Sequence, residues 1–263
     1  MSAPRLVPAL AALALVGSPG AAPEPAPVRH CATIMESSVC AWVVSRAGQA
    51  VELHASVPLA LIRNVSPHAP MTWPPAELGA VPLGPEARAA FGLERLGINW
   101  EAHGHPPATF LTPHFDFHFY SVTAQEVDAI DCADLTKPAS IPEGFALPDI
   151  EIPEMGTLVG LCVPKMGMHA LPSSDLAATD PFGVSPLIGY YRGRPVFVEP
   201  MVAQARLLAK EGFTLSIPPV AHLPAGVRYP RSIRGEFDSA RDELHLVLSD
   251  FSAAPNGGAR TGR

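Results

Sequence analysis

The 263 residues contain no nucleophile elbow of the GxSxG kind, no phosphate loop, no GxGxxG fingerprint and no CxxC pair. The first three absences leave the familiar sequence grounds for a serine hydrolase, a nucleotidase or a dinucleotide-dependent enzyme without support. The fourth argues against a thiolate metal site. Positive charge is also scarce: 18 Lys and Arg stand against 25 Asp and Glu, a net charge of −7. Nucleic acid and anionic membrane surfaces are recognised by basic patches, so neither is expected as a partner. Long helices are expected to be scarce on different grounds. The chain carries 31 prolines, each of which removes a backbone donor and breaks a helix interior.

No apolar run is long enough to span a bilayer. The longest begins at Leu6, lasts about a dozen residues, follows Arg5 and gives way to small residues ending near Ala22. That layout is a secretory signal peptide over residues 1–22. No cysteine follows closely enough for a lipid-modified terminus, so no stable membrane insertion is expected after cleavage, and an extracytoplasmic location, periplasmic or secreted, is. A Pro/Ala-rich linker is read over 23–33, one β-rich domain over 34–251 and a disordered tail over 252–263. All four cysteines, Cys31, Cys40, Cys132 and Cys162, lie after the leader. An even number in an exported chain reads as two disulfides. Of the three pairings, Cys31 with Cys40 and Cys132 with Cys162 is favoured, because it closes a short N-terminal loop and ties two successive segments.

Periodicity predicts a mainly β fold: β-rich α+β, an antiparallel sandwich or barrel-like sheet with a few short helices. Strands are expected over 34–45, 50–63, 93–100 and 157–163, with residues 67–85 as loop and 137–153 irregular. Hairpins are expected over 187–198 around Arg192-Gly193-Arg194 and over 231–248. Thr123 and Glu126 form a capping box for a helix to about Ile130, and a helix from Val202 to Lys210 is stopped by Gly212.

The densest chemistry lies in residues 98–120, INWEAHGHPPATFLTPHFDFHFY, which hold four of the ten histidines within sixteen residues. From His114 to Tyr120 polar and aromatic residues alternate strictly, so a strand places His114, Asp116, His118 and Tyr120 on one face and Phe115, Phe117 and Phe119 on the other. Imidazole and carboxylate suit a divalent transition metal, with zinc the leading candidate and manganese, iron, nickel or copper the others. Positions i and i+2 of a strand lie about 6.6 Å apart and can chelate, whereas i and i+4 are about 13 Å apart. The expected site is therefore centred on Asp116 with one or both flanking histidines. Further ligands come from His103 and His105 in HGHPP, His169 in a turn-like MGMH and Glu199 at a strand end. The rival to a metal site is a hydrogen-bonded polar network with Tyr120.

The segments NWEAHGHPP, TPHFDFHFY, VPKMGMHA, GYYRGRPVFVEPM and YPRSIRGEFDSARDELHLVLSDF resemble, in this order from Trp100 to Phe251, a small family of exported bacterial proteins of unknown function typified by one under sigma-E/anti-sigma-E control in a thermophile. The resemblance implies an extracytoplasmic β-rich domain that assembles as a homo-oligomer, and it carries His105, His114, Asp116, His118, His169 and Glu199 over as the matching polar positions. It departs at Ala170, where an aromatic residue, often Trp, is expected. Its family supplies no reaction. The functional expectations are an exported metal-binding protein, with a non-catalytic envelope-stress or binding module and a cupin-like hydrolase or oxygenase as alternatives.

Overall fold

The computed structural model describes residues 26–152 and 156–251; the leader read over 1–22 and the tail over 252–263 lie outside them. In chain order the strands are β1 (His30–Ile34), β2 (Ser37–Arg46), β3 (Gln49–Pro58), β4 (Glu77–Pro82), β5 (Arg95–Glu101), β6 (His114–Tyr120), β7 (Phe145–Ala146) and β8 (Ile150–Ile152). They continue as β9 (Gly156–Leu158), β10 (Met168–Pro172), β11 (Val184–Tyr191), β12 (Arg194–Ala203), β13 (Phe213–Ser216), β14 (Ser232–Asp238) and β15 (Glu243–Ser249). The α-helices are short: α1 (Leu59–Asn64), α2 (Gly84–Phe91), α3 (Ala124–Asp128), α4 (Ser173–Ala177) and α5 (Gln204–Leu208).

The strands form two antiparallel sheets, β1-β2-β3-β15-β14-β13 and β4-β5-β6-β12-β11-β10-β7, with β8 and β9 as a separate pair. Neither large sheet closes on itself among the described residues, so of the two expected architectures the sandwich holds and the barrel does not. One hydrophobic cluster joins the inner faces: Phe115, Phe117, Phe119, Ile98 and Val198 from the second sheet with Leu53, Ala55, Ile233 and Leu246 from the first. The phenylalanine face of β6 is thus the core face that alternation predicted. Each fully buried phenylalanine contributes about 2–3 kcal/mol relative to an exposed one.

Hairpin turns follow from local chemistry. Between β11 and β12 the chain passes through Arg192 and Gly193 at φ 50° and 71°, the paired left-handed geometry of a tight two-residue hairpin that glycine adopts without strain. Both sulfur pairs are those favoured from the sequence, Cys31–Cys40 and Cys132–Cys162. Cys31 and Cys40 face each other across the β1–β2 ladder, so β1 begins inside the stretch read as linker. The Thr123–Glu126 capping box is present at α3, which ends at Asp128.

Several boundaries differ from expectation. Residues 59–63 were read as strand and are helix α1, entered where Pro58 interrupts the ladder. Within the expected loop 67–85, residues 77–82 form β4, whose Gly- and Pro-rich sequence hides an edge strand. The strand read over 157–163 is β9 followed by a 3-10 turn, Val159–Leu161, with Gly160 at φ 60°. His169 lies within β10 instead of a turn, and Glu199 lies in the middle of the ten-residue β12 instead of at a strand end.

Candidate metal centre

Register puts the polar residues on the outer face of the second sheet. On β6 these are His114, Asp116 and His118. β5 sets Glu101 opposite His114 and Asn99 opposite Asp116. β12 runs Phe197 against Tyr120 and Met201 against Asp116, which leaves Glu199 beside His118. Glu199 in turn pairs with Leu187 of β11, and His169 of β10 pairs with Gly189 on the same strand. Despite being the outer face, it is not solvated: His114, Asp116, His118, His169, Glu199 and Asn99 are all buried. An apolar cluster of Phe110, Leu161, Leu171, Leu187 and Met201 lies on this side, with Leu158 and Phe182 packed against it.

Six of the seven candidate ligands named from the sequence are brought together, as two triads rather than one. His105, His114 and Asp116 form the first; His118, His169 and Glu199 form the second. In each, one donor atom per residue lies within 4.8 Å of the others. The first triad keeps Asp116 with one flanking histidine, His114, and a further residue from HGHPP, while His118 falls in the second, so two groupings stand where one was expected. The reason is spacing: adjacent strands are about 4.8 Å apart, closer than the roughly 6.6 Å between i and i+2 along one strand. His118 consequently groups with its cross-strand neighbour Glu199, whereas Asp116 and His114, i and i+2 on β6, meet because their side chains lean together to 3.3 Å. His103 joins neither triad, and its Nε2 lies 3.2 Å from the Ala69 carbonyl.

Three of the four imidazoles are oriented from behind. His114 Nδ1–H donates to the Thr112 carbonyl at 2.7 Å, His105 Nδ1–H to the Pro106 carbonyl at 2.8 Å and His169 Nδ1–H to the Leu161 carbonyl at 3.0 Å. A proton held at Nδ1 leaves a lone pair at Nε2, as in histidines that ligate metals. The front atoms stay unsatisfied. His114 Nε2, Asp116 Oδ1, both ring nitrogens of His118 and Glu199 Oε2 are buried without a hydrogen-bond partner. His114 Nε2 stands 3.3 Å from Asp116 Oδ1, and His118 Nε2 stands 3.5 Å from Glu199 Oε2. Two ligands each about 2.1 Å from one ion at a tetrahedral angle are about 3.4 Å apart. The donor pairs already have that spacing.

The electrostatics differ between the triads. Burial pushes His105 down to about 4 and His118 down to about 3, and it lowers His169 as well, so these three imidazoles are neutral. For His114, burial is the largest influence and acts downward, but the Asp116 charge and contact together with the Thr112 carbonyl and Glu101 outweigh it, and the group is raised. Asp116 is held down to about 2, because His114 overcomes the upward push of burial. Burial lifts Glu199 well above the carboxylate range, with the Asp116 and Glu101 charges adding to it. Glu101 is raised to about 8 by burial and then by Asp116. Three carboxyls crowded on one buried face resist being ionised together, and a bound cation relieves that resistance.

Glu101 and Asn99 were not singled out from the sequence. Asn99 is buried beside Asp116 with its Nδ2 unpartnered. Their signal was present: 99 and 101 repeat the period of two, but the strand was expected to stop at Trp100, one residue short of the carboxylate. Among the described residues no helix is long and apolar enough to cross a membrane. Comparison with protein-family models, with curated proteins and with solved structures finds no match for the chain.

Proposed function

We propose that this chain is an exported metal-binding protein that holds two divalent transition-metal ions, zinc foremost, one in each triad. The observation that carries the reading is the set of facing, buried and unpartnered donor atoms: His114 Nε2 with Asp116 Oδ1, and His118 Nε2 with Glu199 Oε2, at 3.3 and 3.5 Å. A hydrogen-bonded structural network would satisfy such atoms, since an unsatisfied buried polar group costs about 1–3 kcal/mol. Ligation satisfies all of them at once. Two histidines and one carboxylate also match the donor set of zinc sites that keep an open position, and of non-haem iron sites. Bound there, such an ion would act as a Lewis acid toward a small ligand or water. The chain's own part is to fix the imidazole tautomers through the Thr112, Pro106 and Leu161 carbonyls and to keep bulk water from the donors. The two disulfides support an extracytoplasmic location.

Elemental mass spectrometry on untagged protein, after exposure to zinc and removal of free metal, tests this. Two equivalents are expected in the parent, about one in His114→Ala or in His118→Ala, and none in the double variant. A folded parent without metal after exposure to zinc, manganese, iron, nickel and copper would overturn it.

A further inference from the structure

A cavity of about 490 Å³ lies between residues 69–78 and the polar face of the second sheet, and both triads reach it: His105 and Asp116 from one, His169 and Glu199 from the other. Its remaining wall is mostly apolar, with Trp100, Leu158, Leu161, Met166 and Leu187 prominent. At the rim Met71 is 80% exposed and Trp73 46% exposed, unusual for side chains of their size. The rim segment is tied to the sheet. Trp100 Nε1–H donates to the Ser66 carbonyl at 2.8 Å, and His103 contacts the Ala69 carbonyl. The volume is that of a small-molecule site, and so is the composition: apolar walls around a few convergent polar groups.

We infer that this cavity binds a small organic monoanion, an alkyl or aryl carboxylate, with its headgroup at the triads and its apolar body against the Trp100, Leu158 and Leu187 wall. The inference rests on the metal-binding reading. Coordination selects the headgroup: each triad offers three donors, which leaves a tetrahedral ion one open position, and residues of both triads line the cavity. A carboxylate oxygen fills such a position, whereas a cationic or strongly polar ligand would oppose either the ion or the wall. The rim aromatic and methionine then cover the end of the apolar body that points to solvent.

Calorimetric titration of zinc-loaded protein with acetate, butyrate, hexanoate and octanoate tests it, with zinc content measured on the same samples. Each buried methylene is expected to tighten binding about fourfold, so hexanoate binds well over tenfold tighter than acetate. The dependence on chain length is expected to vanish in Ala76→Trp, which adds bulk at an exposed lining position that is none of the six donors, while zinc content stays at two equivalents. A flat series on zinc-loaded protein, or one unchanged by Ala76→Trp, overturns the cavity assignment alone. Absence of zinc from folded protein overturns the metal-binding reading and this inference with it.

Discussion

The backbone carbonyl of Leu161 accepts the Nδ1–H of His169 at 3.0 Å, and the next residue, Cys162, is disulfide-bonded to Cys132. The disulfide thus fixes the 3-10 turn that sets the tautomer and direction of a proposed ligand in the second triad. The first triad has no such dependence, since His114 and His105 lean on Thr112 and Pro106.

It follows that a Cys132→Ala/Cys162→Ala variant loses metal selectively. Loss of a group that orients a ligand weakens affinity about 10- to 100-fold. Competition with a graded chelator should show one site weakened by that factor and the other unchanged. Equal weakening of both sites would show that the disulfide acts on the fold as a whole.

Glu199 carries a second prediction. Without metal its buried Oε2 has no partner, and replacing a buried, poorly compensated ionisable group by an apolar one of similar size is often stabilising. In excess chelator, Glu199→Met is expected to unfold at equal or higher denaturant than the parent, by about 1–3 kcal/mol. With zinc present the order reverses, because the parent gains about 4 kcal/mol from a site saturated a thousandfold over its dissociation constant. A variant less stable than the parent in both conditions would mean that Glu199 is satisfied without metal.

How far the sequence reached depends on which force decides each feature. Alternation along 114–120 was legible because burying three phenylalanines on one face outweighs any other arrangement, and the turn at Arg192-Gly193 was legible because few residues take that backbone. The hidden features are those set by partners distant in sequence. Glu199 looks like a strand end because Pro200 follows it, but pairing with both Leu187 of β11 and β6 carries the strand on to Ala203. The division into two triads depends on register between β6 and β12, which no local pattern encodes. Strand β4 escaped notice for a similar reason, since its residues earn their place only through β5.

Packing behind the second triad leads to a third prediction. A Cβ on Gly189 would lie 2.0 Å from the Phe197 ring, whose centroid is 4.8 Å from His118 and 5.2 Å from His169. Gly189→Ala must displace that ring, which packs against both histidines. Denaturant unfolding is expected to show a loss of about 2 kcal/mol or more, with zinc content falling by one equivalent. Retention of both stability and two equivalents would show that Phe197 is free to move elsewhere.

The capping box gives the chain a defined pH signature away from the metal sites. The Thr123 backbone N–H donates to Glu126 at 2.9 Å and holds that carboxyl below its ordinary value of 4.5. A carboxyl lowered on folding adds stability that is fully present above the ordinary value and is lost as pH falls through the lower, folded one. Glu126→Gln keeps a side-chain oxygen but removes the charge. Urea unfolding should show a deficit at pH 7 of up to about 0.5 kcal/mol, reduced by solvent screening at this half-exposed group, that closes as the pH falls below the ordinary carboxyl value. A deficit independent of pH would assign the effect to geometry alone.

The most direct measurement is anomalous diffraction from crystals of the zinc-loaded protein, collected on both sides of the zinc absorption edge. Two anomalous peaks are predicted, one bounded by His105, His114 and Asp116 and the other by His118, His169 and Glu199. Their absence at both positions, or peaks only on surface carboxylates, would contradict the account.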